Sequence, residues 1–146
     1  MVFIGYPKCT TCQRAKAFLD DIGVAYEFRD IKMDNPTYDE LKTWLKISGL
    51  PVKKLFNTSG VQYKSLNLKK KLPMMNDDEC LRLLASDGML VKRPLLVDEC
   101  HALVGFKKDD WLSLFTEYDR KGLDAVFQDY FKEMLQRLND REKSND

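Results

Sequence analysis

The sequence contains few of the residues on which several common protein classes depend. It has one histidine and four cysteines in 146 residues. A secreted domain of this size that is held together by disulfides usually carries more cysteines at tighter spacing. The 24 basic and 23 acidic residues leave a net charge of +1, so no broad basic surface is available for nucleic acid. We therefore expect neither an extracellular disulfide scaffold nor direct DNA binding.

Long apolar runs are also absent from the sequence. No stretch approaches the roughly 20 apolar residues that a membrane-spanning helix needs. The opening segment, residues 1–7, is apolar but too short for the core of a signal peptide, and no basic segment precedes it. With 44% hydrophobic and 32% charged residues, the composition is typical of a folded domain. We expect a cytoplasmic protein that does not associate with membranes.

The first thirty residues predict a βαβ unit. Residues 1–6 are mostly apolar and indicate a short buried strand that Pro7 ends. From Thr11 to Gly23 apolar residues recur at helical spacing, and the glycine marks the end of the helix. Residues 24–31 alternate as in a second strand. A strand, a helix and a strand over this length imply a parallel pair of strands.

The middle of the chain is predicted to be helical. A capping box of Thr37 and Glu40 opens one helix, which Gly49 ends. Asn76 caps another helix, which runs through Ala85.

The last part of the chain predicts a hairpin followed by helices. Residues 92–97 and 102–106 are expected to pair as antiparallel strands, and a helix is expected to begin at Asp109. Residues 116–146 form an extension to a domain that spans 1–115. A wide apolar stripe along 119–138 predicts one long helix, packed on its own domain or, alternatively, on a second copy in a homodimer.

Two cysteines stand where the first strand gives way to the first helix. The order β-α-β, helices, hairpin and helix is that of a thioredoxin-like α/β fold. In it Cys9 lies at the N-terminus of a helix, where free N–H groups and the positive helix end stabilise a thiolate. Cys12 lies one turn further on, within reach of the first sulfur, and Lys8 adds a positive charge. We predict that Cys9 is the attacking thiolate and Cys12 the resolving thiol.

Zinc binding is the main alternative use of such a pair. A structural zinc site needs four ligands, and beyond the pair the sequence offers only Cys80, Cys100 and His101. The ligand count favours redox chemistry, although a pair without any role is the remaining alternative. We expect Cys80 to be a small buried residue, Cys100 an incidental loop thiol and His101 a solvent-exposed turn residue.

Five segments carry a resemblance to a known family: residues 6–12 (YPKCTTC), 29–31 (RDI), 55–60 (LFNTSG), 86–90 (SDGML) and 92–97 (KRPLLV). Together they resemble the ArsC/Spx family, in particular its arsenate reductase-related bacterial branch with a CxxC, over about residues 1–115. The resemblance implies a thioredoxin-like mixed sheet with a helical insertion at about 32–91. It also implies a cis peptide between Arg93 and Pro94 that faces the Cys9 loop.

The resemblance implies two different activities. Arsenate reductases of the family attack arsenate with the cysteine that matches Cys9 and use three arginines, of which only Arg93 is present here. Asn57 and Phe106 stand at the other two positions, and losing two bidentate donors weakens oxyanion binding. Spx-type regulators carry the same CxxC as a redox switch and bind the α subunit of RNA polymerase.

The leading hypothesis is a thiol–disulfide oxidoreductase that uses Cys9 and Cys12. Arg93 holds an anionic group or lowers the thiolate pKa. Pro94, which lacks an N–H, leaves the Leu95 backbone to pair with a substrate strand. The expected partners are a protein disulfide substrate and a thiol reductant, with glutathione, thioredoxin or glutaredoxin as electron donor, and no bound cofactor or metal is expected. Asn57 and Lys8 are supporting residues in this hypothesis.

Overall fold

A computed structural model describes residues 1–120, 136–137 and 139–140. Its regular elements, in chain order, are β1 (Val2–Gly5), α1 (Thr10–Ile22), β2 (Glu27–Asp30), α2 (Tyr38–Ser48), α3 (Val61–Ser65), α4 (Leu68–Lys71), α5 (Asp77–Ser86), β3 (Leu95–Val97), β4 (Ala102–Val104) and α6 (Lys108–Arg120). Single 3₁₀ turns cover Val52–Leu55, Leu72–Met74 and Gly88–Leu90. None of the helices in the described ranges is long and apolar enough to span a bilayer.

The four strands form one mixed sheet in the order β2-β1-β3-β4. β1 and β2 are parallel, with Val2 opposite Glu27, whereas β3 runs antiparallel to both β1 and β4. The parallel pair and the hairpin are as predicted. Four helices and three 3₁₀ turns stand between β2 and β3, which confirms the helical insertion into an α/β fold.

The chain divides into two compact units. The first comprises residues 1–13 and 26–106 and holds the sheet and the helical insertion. Its buried core is formed by sheet and insertion residues together: Ile4, Ile31, Leu41, Trp44, Leu55, Phe56, Leu68, Cys80, Leu81, Leu84, Leu90, Val91, Leu95, Val97 and Ala102.

The second unit comprises, among the described residues, 14–25 and those from 107 onwards. Within it the ring of Phe18 lies edge-on to Trp111, with centroids 6.3 Å apart, and tilts against Phe115 at 6.4 Å. Such aromatic pairs add stability beyond the area that they bury. The long helix predicted at 119–138 lies mostly outside the described residues, so its packing and the homodimer stay predictions.

The start of α2 shows how local sequence and tertiary contacts agree. The Thr37 hydroxyl accepts from the Glu40 N–H at 3.1 Å, and the Glu40 carboxylate accepts from the Thr37 N–H at 3.0 Å. The same carboxylate accepts two hydrogen bonds from Arg29 of β2, at 2.6 and 3.0 Å. The Arg29 hydrogen bonds hold the pKa of Glu40 below its ordinary value. The predicted capping box is confirmed, and α2 ends at Gly49 with φ of 67°.

Several strand boundaries and one side chain differ from the prediction, and β4, for example, ends at Val104 rather than residue 106. β2 begins at Glu27 rather than residue 24, and β3 begins at Leu95 rather than Lys92. Pro94 has no N–H, so a regular ladder starts only after it. His101 was predicted to be solvent-exposed; instead its ring is half-buried, because its Nδ1 lies 3.0 Å from a carboxylate oxygen of Asp98 in the same turn.

Candidate active site: a cysteine pair at a helix N-terminus

The turn between β1 and α1 places Cys9 immediately before Thr10, the first residue of the helix. The Cys9 N–H donates to the Tyr6 carbonyl at 2.9 Å, closing a turn with Pro7 inside it. The Cys9 carbonyl accepts from the Gln13 N–H at 3.0 Å, so Cys9 is the N-cap residue of α1. The Gln13 side chain donates back to the Pro7 carbonyl at 2.8 Å. The predicted position of Cys9 at the positive end of a helix is therefore confirmed.

The two cysteines are neighbours with different surroundings. Cys9 is half-buried, whereas Cys12 is 3% exposed, and both are free thiols. Interactions with the backbone and the thiol of Cys12 lower the pKa of Cys9. The arrangement brings the predicted attacking and resolving thiols together.

The surroundings of Cys9 favour its thiolate. Partial burial raises the pKa of Cys9, but hydrogen bonds from Cys12 and Arg93 and the charge of Arg93 lower it. The lowering contributions win, so the pKa of Cys9 lies below that of an ordinary thiol. Lys8 is exposed at the turn, and Arg93 is the cation that lowers the pKa of Cys9.

Cys12 is held in the opposite state. Burial, followed by the hydrogen bond and charge of Cys9, raises the pKa of Cys12 to about 12, against the lowering effect of the Tyr6 N–H. That N–H lies 3.5 Å from the Cys12 sulfur. A Cβ added at Gly5 would come within 3.2 Å of the same sulfur, so the end of β1 leaves just enough room for Cys12. The pair therefore consists of one thiolate-forming and one protonated sulfur.

Arg93 lies two residues before the start of β3. Its guanidinium carbon lies 5.4 Å from the centre of the Tyr6 ring, and its Nη1 makes a long contact of 3.4 Å with the Met89 carbonyl. Its Nε is buried and has no hydrogen-bond partner in the described part of the chain. Pro94 follows in the cis form and its carbonyl accepts from the Gly105 N–H at 2.8 Å. Arg93 contributes to the lowered pKa of Cys9, and its role at the cysteine pair stays a prediction.

Asn57 has a different set of contacts. Its N–H donates to the Leu90 carbonyl at 2.8 Å, its carbonyl accepts from the Gly60 N–H at 3.2 Å, and its side-chain oxygen accepts from the Ser59 hydroxyl at 3.3 Å. These bonds organise the loop that follows the 3₁₀ turn at Val52–Leu55. A supporting role for Asn57 at the cysteine pair stays a prediction.

The remaining cysteines lie apart from the pair. Cys80 is 1% exposed within α5, and burial raises its pKa, as expected of a small core residue. Cys100 is exposed in the β3–β4 turn. Within the described ranges, no three histidine, cysteine, aspartate or glutamate side chains are grouped so as to hold a metal ion.

Two residues of the site were missed at the level of sequence. Tyr6 contacts Cys9, Cys12 and Arg93, and Gly5 packs against Cys12. The available signal was their position: both lie between the end of a buried strand and a proline turn that leads to a reactive cysteine. Neither a tyrosine nor a glycine indicates such a role by its residue type.

Sequence relatives agree with this architecture. A model of the ArsC family matches residues 4–114. The chain is 50% identical over 111 residues to the uncharacterized protein YusI of Bacillus subtilis, covering 76% of this chain and 94% of YusI. It is 30% identical to the regulatory protein MgsR of B. subtilis, covering 78% and 89%. It is also 30% identical to the global transcriptional regulator Spx of Staphylococcus haemolyticus, covering 71% and 78%.

Solved structures show the same fold. An ArsC-family-related protein from Bacteroides fragilis is 55% identical and superposes with a TM-score of 0.76, over 77% of this chain and 95% of its own. An arsenate reductase from Vibrio cholerae is 27% identical, with a TM-score of 0.66, over 77% and 97%. The chain therefore belongs to the ArsC family and has its thioredoxin-like α/β fold, with a pair of cysteines at the N-terminus of the first helix.

Proposed function

We propose that the protein is a cytoplasmic thiol–disulfide oxidoreductase in which Cys9 and Cys12 form the redox pair. The observation that carries the proposal is the difference between the pKa values of the two thiols. The pKa of Cys9 is lowered by Cys12 and Arg93, whereas that of Cys12 is raised by burial to about 12. A half-exposed thiolate beside a buried thiol is the arrangement that attack followed by resolution requires.

In the first step the Cys9 thiolate attacks a disulfide of the substrate. One substrate sulfur forms a mixed disulfide with Cys9, and the other leaves as a thiolate that takes a proton from solvent. Arg93, which lowers the pKa of Cys9 in the reduced protein, holds the attacking charge in place.

In the second step Cys12 loses its proton and attacks the Cys9 sulfur. The Cys9–Cys12 disulfide forms, the substrate leaves fully reduced, and two electrons have moved from the pair to the substrate. The charge and hydrogen bond of Cys9 contribute to the high pKa of Cys12 in the reduced protein. Cys9 carries no charge once it is part of a mixed disulfide. Cys12 therefore ionises more readily in the mixed disulfide than in the reduced protein. Glutathione, thioredoxin or glutaredoxin then returns the two electrons.

The test measures reduction of a disulfide substrate and the equilibrium of the pair with glutathione. We expect Cys9→Ser to abolish turnover and Cys12→Ser to stop at the mixed disulfide, which mass spectrometry detects. Cys100→Ser changes an exposed thiol in another turn and serves as the matched control with full activity. Wild-type activity in Cys9→Ser, or no Cys9–Cys12 disulfide under glutathione, would refute the proposal.

A redox-regulated binding protein is the second candidate, because two relatives, MgsR and Spx, are named as regulators. In that case the disulfide changes the affinity for a partner, with the α subunit of RNA polymerase the first to test, and turnover is slow. Equal binding of that subunit by the oxidised and reduced forms would count against it.

Arsenate reduction is the third candidate, supported by the likeness to an arsenate reductase. It would require arsenite release with glutathione and glutaredoxin. We expect little, since Asn57 and Phe106 stand where the family's activity would call for arginines.

A further inference from the structure

One residue, Tyr6, contacts Cys9, Cys12 and Arg93. The Tyr6 carbonyl accepts from the Cys9 N–H at 2.9 Å, and its own N–H points to the Cys12 sulfur at 3.5 Å. Its ring lies under the guanidinium of Arg93, with the guanidinium carbon 5.4 Å from the ring centre. The two backbone contacts survive any substitution of the side chain, whereas the third depends on the ring.

Arg93 lacks the contacts that usually orient an arginine. Arg29, in the same unit, shows what such contacts look like: two bonds to the Glu40 carboxylate and further bonds to the carbonyls of Asp34 and Asn35. Arg93 has one long bond to the Met89 carbonyl, at 3.4 Å, and a buried Nε without a partner among the described residues. An aromatic face within about 6 Å attracts a guanidinium through the ring quadrupole, so the Tyr6 ring supplies an orienting contact where polar partners are few.

We propose that Tyr6 is a positioning residue, whose ring holds the Arg93 guanidinium against the Cys9 sulfur. The inference rests on the proposed function and specifies how its reactive thiolate is maintained. The arrangement also leaves the positive charge available, since a ring face orients a cation without neutralising it, whereas a carboxylate would cancel it. Removing the ring lets the guanidinium move away, and Cys9 then loses the interactions with Arg93 that lower its pKa.

The experiment measures the pKa of Cys9 from the pH dependence of its alkylation in the reduced full chain, followed at that residue by mass spectrometry. We expect Tyr6→Leu to raise the pKa and slow alkylation at neutral pH, and Tyr6→Phe, which keeps the ring face, to leave both at the wild-type value. Tyr38→Leu is the matched control, because it also removes a ring stacked on an arginine, Arg82 at 4.8 Å, but in the α2–α5 region. It should leave the pKa of Cys9 unchanged.

A double variant separates positioning from a general loosening of the turn. If Tyr6 acts through Arg93, Tyr6→Leu with Arg93→Met shows the same Cys9 pKa as Arg93→Met alone. A further rise in the double variant, or no rise in Tyr6→Leu while Arg93→Met raises the pKa, overturns the inference and leaves the proposed function standing. No rise in Arg93→Met removes the electrostatic basis of the proposed function itself. Circular dichroism checks the fold, and Tyr6→Met replaces Tyr6→Leu should the latter not fold.

Discussion

Cys12 should make the reduced protein less stable in alkaline solution. Burial and the neighbouring Cys9 raise the pKa of its thiol from 9.0 to about 12. In the unfolded chain the thiol ionises near 9.0, while in the folded protein it keeps its proton up to about pH 12. Ionisation therefore stabilises only the unfolded state in this window. The contribution of Cys12 is fully present below pH 9 and is lost as the pH rises towards its folded pKa.

The size of the loss follows from the two pKa values. One pKa unit corresponds to about 1.4 kcal/mol, and integration between about pH 9.5 and about pH 10.5 gives a loss of about 1.2 kcal/mol. Domains of this size are stable by only about 5–15 kcal/mol, so the change is measurable. Cys9 has a lowered pKa, so its contribution to stability is almost complete above pH 9.0. It therefore adds almost nothing to the change over this range.

The assay is urea unfolding of the fully reduced protein at the two pH values. Cys12→Ala removes the titrating thiol. Between the two pH values its free energy of unfolding should fall by about 1.2 kcal/mol less than that of the wild type. The raised pKa of Cys80 affects both proteins equally and cancels in the comparison. Cys100→Ala, at an exposed turn, should behave like the wild type. Equal losses in the wild type and Cys12→Ala would refute the reasoning.

Three further predictions concern the frame around the site. Gly88→Ala should lower the free energy of unfolding by about 3 kcal/mol in urea titrations, because its Cβ would lie 1.8 Å from the Ile31 carbonyl oxygen; a loss below about 1 kcal/mol would contradict this packing. Thr37→Ala removes the N-cap of α2 and should cost about 1 kcal/mol, a loss that Thr37→Ser should largely restore. Gly5→Ala presses on the Cys12 sulfur and should shift the glutathione equilibrium of the pair while the chain stays folded; an unchanged equilibrium would show that Cys12 can move aside freely.

Local patterns in the sequence were enough to locate the reactive cysteine. A strand, a proline turn and a helix follow one another within the first part of the chain, and Cys9 lies where the helix must begin. The helix N-terminus alone makes that position favourable for a thiolate. The capping box at Thr37 was equally visible, since its two members are three residues apart and need no distant partner.

Element boundaries were less predictable where tertiary pairing decides them. Residues 24–26 alternate like a strand, yet the ladder with β1 begins at Glu27, because β1 itself offers partners only from Val2 to Gly5. His101 shows the same limit on a smaller scale. Its burial depends on the Asp98 carboxylate, which a turn of different geometry would have left out of reach.

The sequence by itself determined the fold class, the position of the cysteine pair at a helix start and the roles expected of its two sulfurs, since these depend on periodicity and on neighbours within one turn. Only the tertiary structure decided what surrounds the pair. The sheet order places β3 beside β1, which carries Arg93 to Cys9 and onto the Tyr6 ring. The charge of Arg93 comes from a residue distant in sequence, so local patterns do not show its contribution to the two pKa values.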